Sequence, residues 1–205
     1  AGIALQSLAY GDKDTQARLV NSGGLERLLF ALKTHSNDAE LQESGLAALR
    51  NLVCSGPETL AKAEALGAIE AVLDSMRLNL ARPMVQEHGC VIIAQFAWET
   101  TAFRDHVVTA GGIEVILKAL QGHQPISKIQ AFGCGAVQGL ACDNEANRVR
   151  IDFREGIELV NKALRMHPEV ETVQALGFSA MQSLSCNLPT EESKKNGEAR
   201  RKKMP

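Results

Sequence analysis

Aromatic side chains are scarce. Six Phe, one Tyr and one Trp make up 4% of the 205 residues. So few rings leave no stacking platform for single-stranded nucleic acid. A surplus of positive charge is also missing: 22 basic residues face 24 acidic ones, for a net charge of −2. No overall field is available to hold a phosphate backbone. No apolar run approaches the roughly 18 residues of a membrane span, and the N-terminus lacks a basic segment followed by an apolar one. Asn-x-Ser/Thr sites are absent. The cysteines are Cys54, Cys90, Cys134, Cys142 and Cys186, an odd count with no Cys-x-x-Cys pair. This argues against a structural zinc site and fits a reducing compartment, the cytoplasm or alternatively the nucleus. No cofactor or metal is expected.

Apolar residues form 45% of the chain, enough to build a core. The charge is unevenly placed. Between Pro189 and Pro205 six basic residues accompany three acidic ones, so this stretch carries +3 and the body −5. Residues 188–205 read as a basic, disordered tail, and partners of the body are expected to be basic or apolar.

Repetition organises the rest. Gly23-Gly24-Leu25, Gly67-Ala68-Ile69, Gly111-Gly112-Ile113 and Glu155-Gly156-Ile157 recur every 44 residues. A second ladder, Gly45, Gly89, Gly133 and Gly177, keeps the same period. After each turn the apolar spacing is i, i+3, i+4, i+7, as in Leu25, Leu28, Leu29, Leu32 and in Ile113, Ile116, Leu117, Leu120. That is one face of an α-helix. In the fourth copy Asn161 breaks the stripe. The second ladder opens a further stripe, for example Gly89, Ile92, Ile93, Phe96. Glycine inside a helix costs about 1 kcal/mol relative to alanine, so its retention in one phase predicts close approach of two helices. A shorter helix precedes each turn, with Leu19, Ala63, Val107 and Ile151 facing inward. Each unit is therefore short helix, glycine turn, helix, loop, longer helix. The loops begin at His35, Asn79, His123 and His167, where a polar residue is placed to satisfy a last helical carbonyl. No period-2 stretch marks a strand.

Three helices per unit, a Gly-Gly-Ile turn and the segment Gly45-Leu46-Ala47-Ala48-Leu49-Arg50-Asn51-Leu52 resemble the armadillo repeat. The resemblance covers residues 1–187: a partial repeat at 1–10 with Ala4, Leu5 and Leu8 in phase, then repeats at 11–54, 55–98, 99–142 and 143–187. The chain starts inside a repeat and without a methionine, as a segment of a longer array would. The resemblance implies an all-α, right-handed α-solenoid whose third helices line a concave groove. Such a groove binds an extended peptide or a partner protein, and no catalysis is implied. The tryptophan–asparagine ladder of the nuclear-import adaptors is absent. Its Trp positions read Ile3, Ala47, Val91, Gly135 and Ser179, and its Asn positions Ser7, Asn51, Gln95, Gly139 and Ser183.

At 100° per residue, the third-helix face between roughly 140° and 240° from the glycine is the expected groove floor. It reads Glu43/Ala47/Arg50/Asn51/Cys54, Glu87/Val91/Ala94/Gln95/Trp98, Ala131/Gly135/Gln138/Gly139/Cys142 and Ala175/Ser179/Gln182/Ser183/Cys186. The candidate binding residues are Glu43, Arg50, Asn51, Glu87, Gln95, Trp98, Gln138 and Gln182. The amides match a peptide backbone because each both donates and accepts. The two glutamates are placed to attract a basic segment, and small residues let a backbone or helix come close. Trp98 is either a binding anchor or packing at the corner between a third helix and the next first helix.

Other motifs have plainer readings. The cysteines occupy two repeat phases, as small residues would, and three histidines share a loop phase. Gly133-x-Gly135-x-x-x-Gly139 lies in a helical stripe rather than after a strand, so it is no phosphate loop. The tail (Lys194, Lys195, Arg200 to Lys203) supports the alternative of a nuclear-transport-type or nucleic-acid-associated adaptor. Stacking on further repeats, or self-association, is the remaining kind of contact that a repeat array allows.

Overall fold

The computed structural model describes residues 13–185; the partial repeat at 1–10, Cys186 and the basic tail lie outside them. Twelve α-helices and no strand are found among the described residues. They are α1 (Lys13–Asn21), α2 (Gly24–Thr34), α3 (Ala39–Val53), α4 (Pro57–Ala65), α5 (Ala68–Leu78) and α6 (Pro83–Glu99), then α7 (Thr101–Thr109), α8 (Gly112–Gly122), α9 (Ser127–Ala141), α10 (Glu145–Phe153), α11 (Gly156–Met166) and α12 (Glu171–Ser185). They fall into four triplets, repeats one to four, whose first helices begin at 13, 57, 101 and 145. The 44-residue period of the sequence is thus the period of the backbone.

Local chemistry sets the helix ends. Pro57 and Pro83 open α4 and α6, where a missing N–H loses nothing. Asp38, Thr100 and Asn144 accept hydrogen bonds from the Leu41, Phe103 and Asn147 amides at the starts of α3, α7 and α10. Between first and second helices the backbone turns left-handed, with φ of 80° at Gly23, 76° at Gly67 and 82° at Gly111. In repeat four Glu155 holds this conformation at φ 60° without being glycine.

The apolar stripes close one continuous core. The second-helix and third-helix stripes are buried throughout repeats one to three, and Ile157, Leu164 and Met181 are the half-buried exceptions of repeat four. The second glycine ladder faces the last stripe residue of its own second helix. A Cβ on Gly45, Gly133 or Gly177 would lie 2.7, 2.6 or 2.6 Å from Leu32, Leu120 or Leu164, and Gly89 meets Met76 in the same way. The close approach expected from the sequence is therefore between second and third helices of one repeat.

A glutamine, buried in repeats one to three and half-buried in repeat four, fixes the same corner. Gln42, Gln86, Gln130 and Gln174 are 44 apart, and each side-chain amide donates to two carbonyls at the end of its second helix. For Gln130 the acceptors are Leu120 and His123, both at 3.0 Å. The first carbonyl of each pair lies in the last helical turn, beyond reach of an intrahelical N–H, and the second also accepts from a loop amide three residues on, as His123 does from Ile126. The loop residues divide their work differently from the sequence expectation. Asn79 bonds both a carbonyl of its own helix, that of Ser75, and the Ser36 carbonyl of the preceding repeat. His123 and His167 reach back to the carbonyls of Leu80 and Gln124 in the preceding repeat, at 2.8 and 2.7 Å. They tie neighbouring loops together.

Repeats stack chiefly through α6, α9 and α12, side by side, with α3 against α6. Cys90 and Cys134 are buried in this stack, and burial pushes both thiols up, that of Cys134 to about 12. At the equivalent position repeat four has Phe178, 63% exposed, where Leu46, Cys90 and Cys134 are fully buried.

Candidate binding groove

The third helices present one edge to solvent, and side chains from alternate repeats converge there. The Arg50 guanidinium of repeat one lies 5.5 Å from the ring centroid of Phe132 in repeat three. This contact spans the intervening α6 and joins repeats one and three on that edge. Arg50 also approaches His88 Nδ1 at 3.5 Å. Burial first, then the charges of Arg50 and Lys128, lower the His88 pKa to about 4. The ring is neutral at neutral pH and accepts from Arg50.

The expected floor residues separate into three groups. Gln95, Trp98 and Gln182 are exposed; Glu43, Arg50, Asn51 and Gln138 are half-buried; Glu87 is buried at 7% exposure. Part of the face opposite each core stripe is consumed by stacking. Ala47, Val91 and Ala131 are buried. A Cβ on Gly135 would sit 3.7 Å from Leu176 of α12, so this glycine lies in the seam between third helices and not on an open floor.

The two glutamates do not form a free acidic patch. Glu43 Oε1 is 2.9 Å from Arg82 Nε, and Glu87 Oε1 is 3.8 Å from Arg50 and 3.9 Å from Lys128. This third-helix face is a band of alternating charge rather than a negative trough.

Trp98 packs across a seam between third helices and keeps an exposed face. Its indole lies over Gly139 of α9, with Nε1 3.1 Å from where a Cβ would be, and the side chain is 47% exposed. Gly139 makes room for the ring to lie across the seam between α6 and α9. Asn51 and Gln95 hold the equivalent position in repeats one and two.

Sequence reasoning missed Arg82, Met84, His88, Lys128 and Phe132. Ser44, His88, Phe132 and Leu176 share one phase, a single residue beyond Glu43 and Glu87. That step of about 100° points to the preceding repeat, a direction invisible in one helix considered alone. A pocket of about 190 Å³, lined by Glu40, Glu43, Ser44, Ala47, Met84 and His88, opens between α3 and α6 on this face. Larger clefts of about 350 and 250 Å³ lie between successive second helices. The same phases line both, Lys33 then Arg77, Glu70 then Glu114, Ala71 then Val115. These clefts mark how second helices stack and recur with the array.

No known family profile matches the sequence, and no curated protein matches it. Solved structures do. A designed armadillo repeat protein in complex with the peptide (KR)4 is 19% identical with a TM-score of 0.72, over 89% of this chain and 73% of that one. A computationally designed armadillo repeat protein for modular peptide recognition is 18% identical with a TM-score of 0.76, over the same shares. A further designed armadillo repeat protein is 18% identical with a TM-score of 0.76, over 97% and 79%. Identity at this level speaks for the fold alone, and with the 44-residue helix triplets, the glycine turns and the stacked third helices it shows that this chain has the armadillo-repeat fold.

Proposed function

We propose that the chain is a non-catalytic scaffold that binds an extended peptide or a segment of a partner protein along its concave face. The observation that carries this reading is the half-exposed Trp98, laid over Gly139 on a third-helix face that also carries the amides of Asn51, Gln95, Gln138 and Gln182. An aromatic plane beside groups that both donate and accept suits a peptide: the ring takes an apolar or cationic side chain and the amides take the backbone. Two of the similar structures were built for, or solved with, peptides. The charge band sharpens the partner class. Glu43 and Glu87 already face Arg82, Arg50 and Lys128, so a purely basic segment has to displace three cations. A segment of mixed charge that offers its own acids to Arg50 and Lys128 does not.

The reducing interior of a cell suits an odd number of thiols, two of them buried and unpaired. No described helix is long and apolar enough to cross a membrane. Exposed Phe178 favours a compatible second reading, in which repeat four stacks on another repeat or another copy. Sedimentation of the wild type against Phe178→Glu tests it, a common monomer mass ending that reading.

Trp98 is the single tryptophan, so its fluorescence reports directly on the groove. Peptides selected from a random display library against the immobilised protein are expected to shift its emission. Their affinity should fall on Trp98→Ala, by about 2 kcal/mol or more if the ring is a hot spot, and fall less on Asn51→Ala and Gln95→Ala. Exposed Arg27 and Lys118 lie on second helices and serve as controls. Selected peptides that respond to those two and ignore the three groove changes would place binding on the convex side and end the proposal.

A further inference from the structure

Away from the groove, one ion pair recurs where first and second helices of adjacent repeats meet. Second helices carry Glu26, Glu70, Glu114 and Glu158, and first helices carry Arg18, Lys62, His106 and Arg150, all 44 apart. Lys62 Nζ is 2.8 Å from Glu26 at the first junction. Arg150 holds both oxygens of Glu114 at the third, through bonds of 3.0 and 2.9 Å. Lysine and arginine are cations at neutral pH as residue types. The middle junction, between repeats two and three, relies on a histidine.

Its geometry is also different in kind. His106 Nδ1 lies 2.9 Å from Glu64 Oε1, and Nε2 lies 2.6 Å from Glu70 Oε1. An ionised carboxylate only accepts, and a neutral imidazole has a single N–H. Two carboxylates against both ring nitrogens are satisfied together only when both nitrogens carry protons. His123 and His167 differ, since each bonds one carbonyl through Nε2 and needs one N–H. We infer that His106 is a proton-operated latch between repeats two and three: the imidazolium bridges Glu64 and Glu70 and closes the junction, and loss of its proton sets a ring lone pair against a carboxylate and releases it.

Most of the other charged groups nearby are engaged elsewhere. Glu64 comes from α4 and Glu70 from α5, while Lys33 of α2 acts on Glu70. Arg104, on the same helix as His106, is committed to the Ala97 and Cys142 carbonyls. Glu114 of α8 is taken by Arg150 and Arg154. On the α6 side, Glu87 is engaged with Arg50 and Lys128 at the third-helix face, and Glu99 is exposed.

The titration directions agree with the geometry. The hydrogen bond to Glu64 raises the His106 pKa, burial opposes it, and Glu70 adds to the rise. Burial pushes Glu70 up, but hydrogen bonds from the backbone and from His106 outweigh it and leave its pKa lowered. A raised histidine pKa gives stabilisation fully present below the unfolded value of about 6.5 and lost as pH climbs through the folded value. A lowered glutamate gives stabilisation present above about 4.5 and lost as pH falls through its folded value. The latch is therefore closed in mildly acidic solution and opens on the alkaline side of the folded His106 pKa.

Melting of the wild type, His106→Lys and His106→Gln across pH 5.5–8.5 tests this. Lysine copies the Lys62–Glu26 pair and should hold the junction at every pH. Wild type is expected to follow the lysine variant at pH 5.5. It should fall roughly 2–4 °C below it by pH 8.5, the scale of one partly exposed ion pair in a chain of this size. The glutamine variant should stay low throughout. Wild type and glutamine curves that run parallel over the whole range overturn the inference. A readout on the unmodified chain stands beside it: the His106 imidazole resonance should titrate above about 6.5 and move down on Glu64→Gln. A midpoint at or below that value, or one indifferent to Glu64→Gln, also overturns it, whatever the variants do.

Discussion

Two glycines on α9, one turn-half apart, should respond to the same substitution with opposite sign. Gly133 and Gly135 are both helical and both buried. Alanine at either position gains about 1 kcal/mol of helix propensity. At Gly135 the new Cβ meets Leu176 at 3.7 Å, an ordinary contact, so the gain should survive. At Gly133 the Cβ would stand 2.6 Å from Leu120 Cδ2 and 2.9 Å from its Cγ. Because Cγ is involved, rotating the leucine tip is not enough; the whole side chain, fully buried, has to move. Overpacking of this kind costs about 1–3 kcal/mol. Gly135→Ala is therefore expected to raise the melting midpoint by roughly 2–4 °C, and Gly133→Ala to leave it level or lower it by up to about 8 °C. Helical circular dichroism on heating and urea titration both read the difference, with unchanged urea slopes excluding a change in cooperativity. Leu120→Ala should partly rescue Gly133→Ala, a coupling of about 0.5–3 kcal/mol. Equal midpoints for the two alanine variants would refute the close approach of α8 to α9. Leucine would discriminate less well than alanine, since Gly135, expected on an open face, adjoins α12 and its leucine variant also crowds a neighbour.

Gln130→Ala strips the Leu120 carbonyl of its donor in a buried corner, while the His123 carbonyl keeps the Ile126 amide, and should lower stability by about 1–3 kcal/mol in urea titration; a neutral outcome means that water replaces the amide. Glu155→Gly relieves a left-handed backbone at a non-glycine residue and is expected to raise the melting midpoint, on the order of 1 kcal/mol, whereas Gly111→Ala, at φ 82°, should lower it. Alkylation followed by peptide mass mapping should modify exposed Cys54 in the native protein and reach Cys90 and Cys134 only on unfolding, because burial holds both thiols protonated. Early labelling of Cys134 would show that the third-helix stack opens far below the global transition.

The backbone plan was legible because it is written once per repeat. A helix face, a left-handed turn and a close helix contact each depend on residues within one unit, and four copies in one phase separate signal from accident. Leu120 against Gly133 and the turn at Gly111 follow from that local repetition. The ladder of Gln42, Gln86, Gln130 and Gln174 is equally periodic, yet a polar residue on a core stripe looks like an exception until its two carbonyl partners are seen. The groove was legible only as a face. Which part of that face stays open depends on how far each third helix is rotated and shifted against the next, a property of the stacked array and of no single helix. The stacking buries Glu87, seats Trp98 on Gly139, brings Arg82 to Glu43 and carries Arg50 across α6 to Phe132. It also sets His106 between two carboxylates, since a bridge between Glu64, Glu70 and a residue 36 to 42 positions away exists only when one repeat is laid upon another.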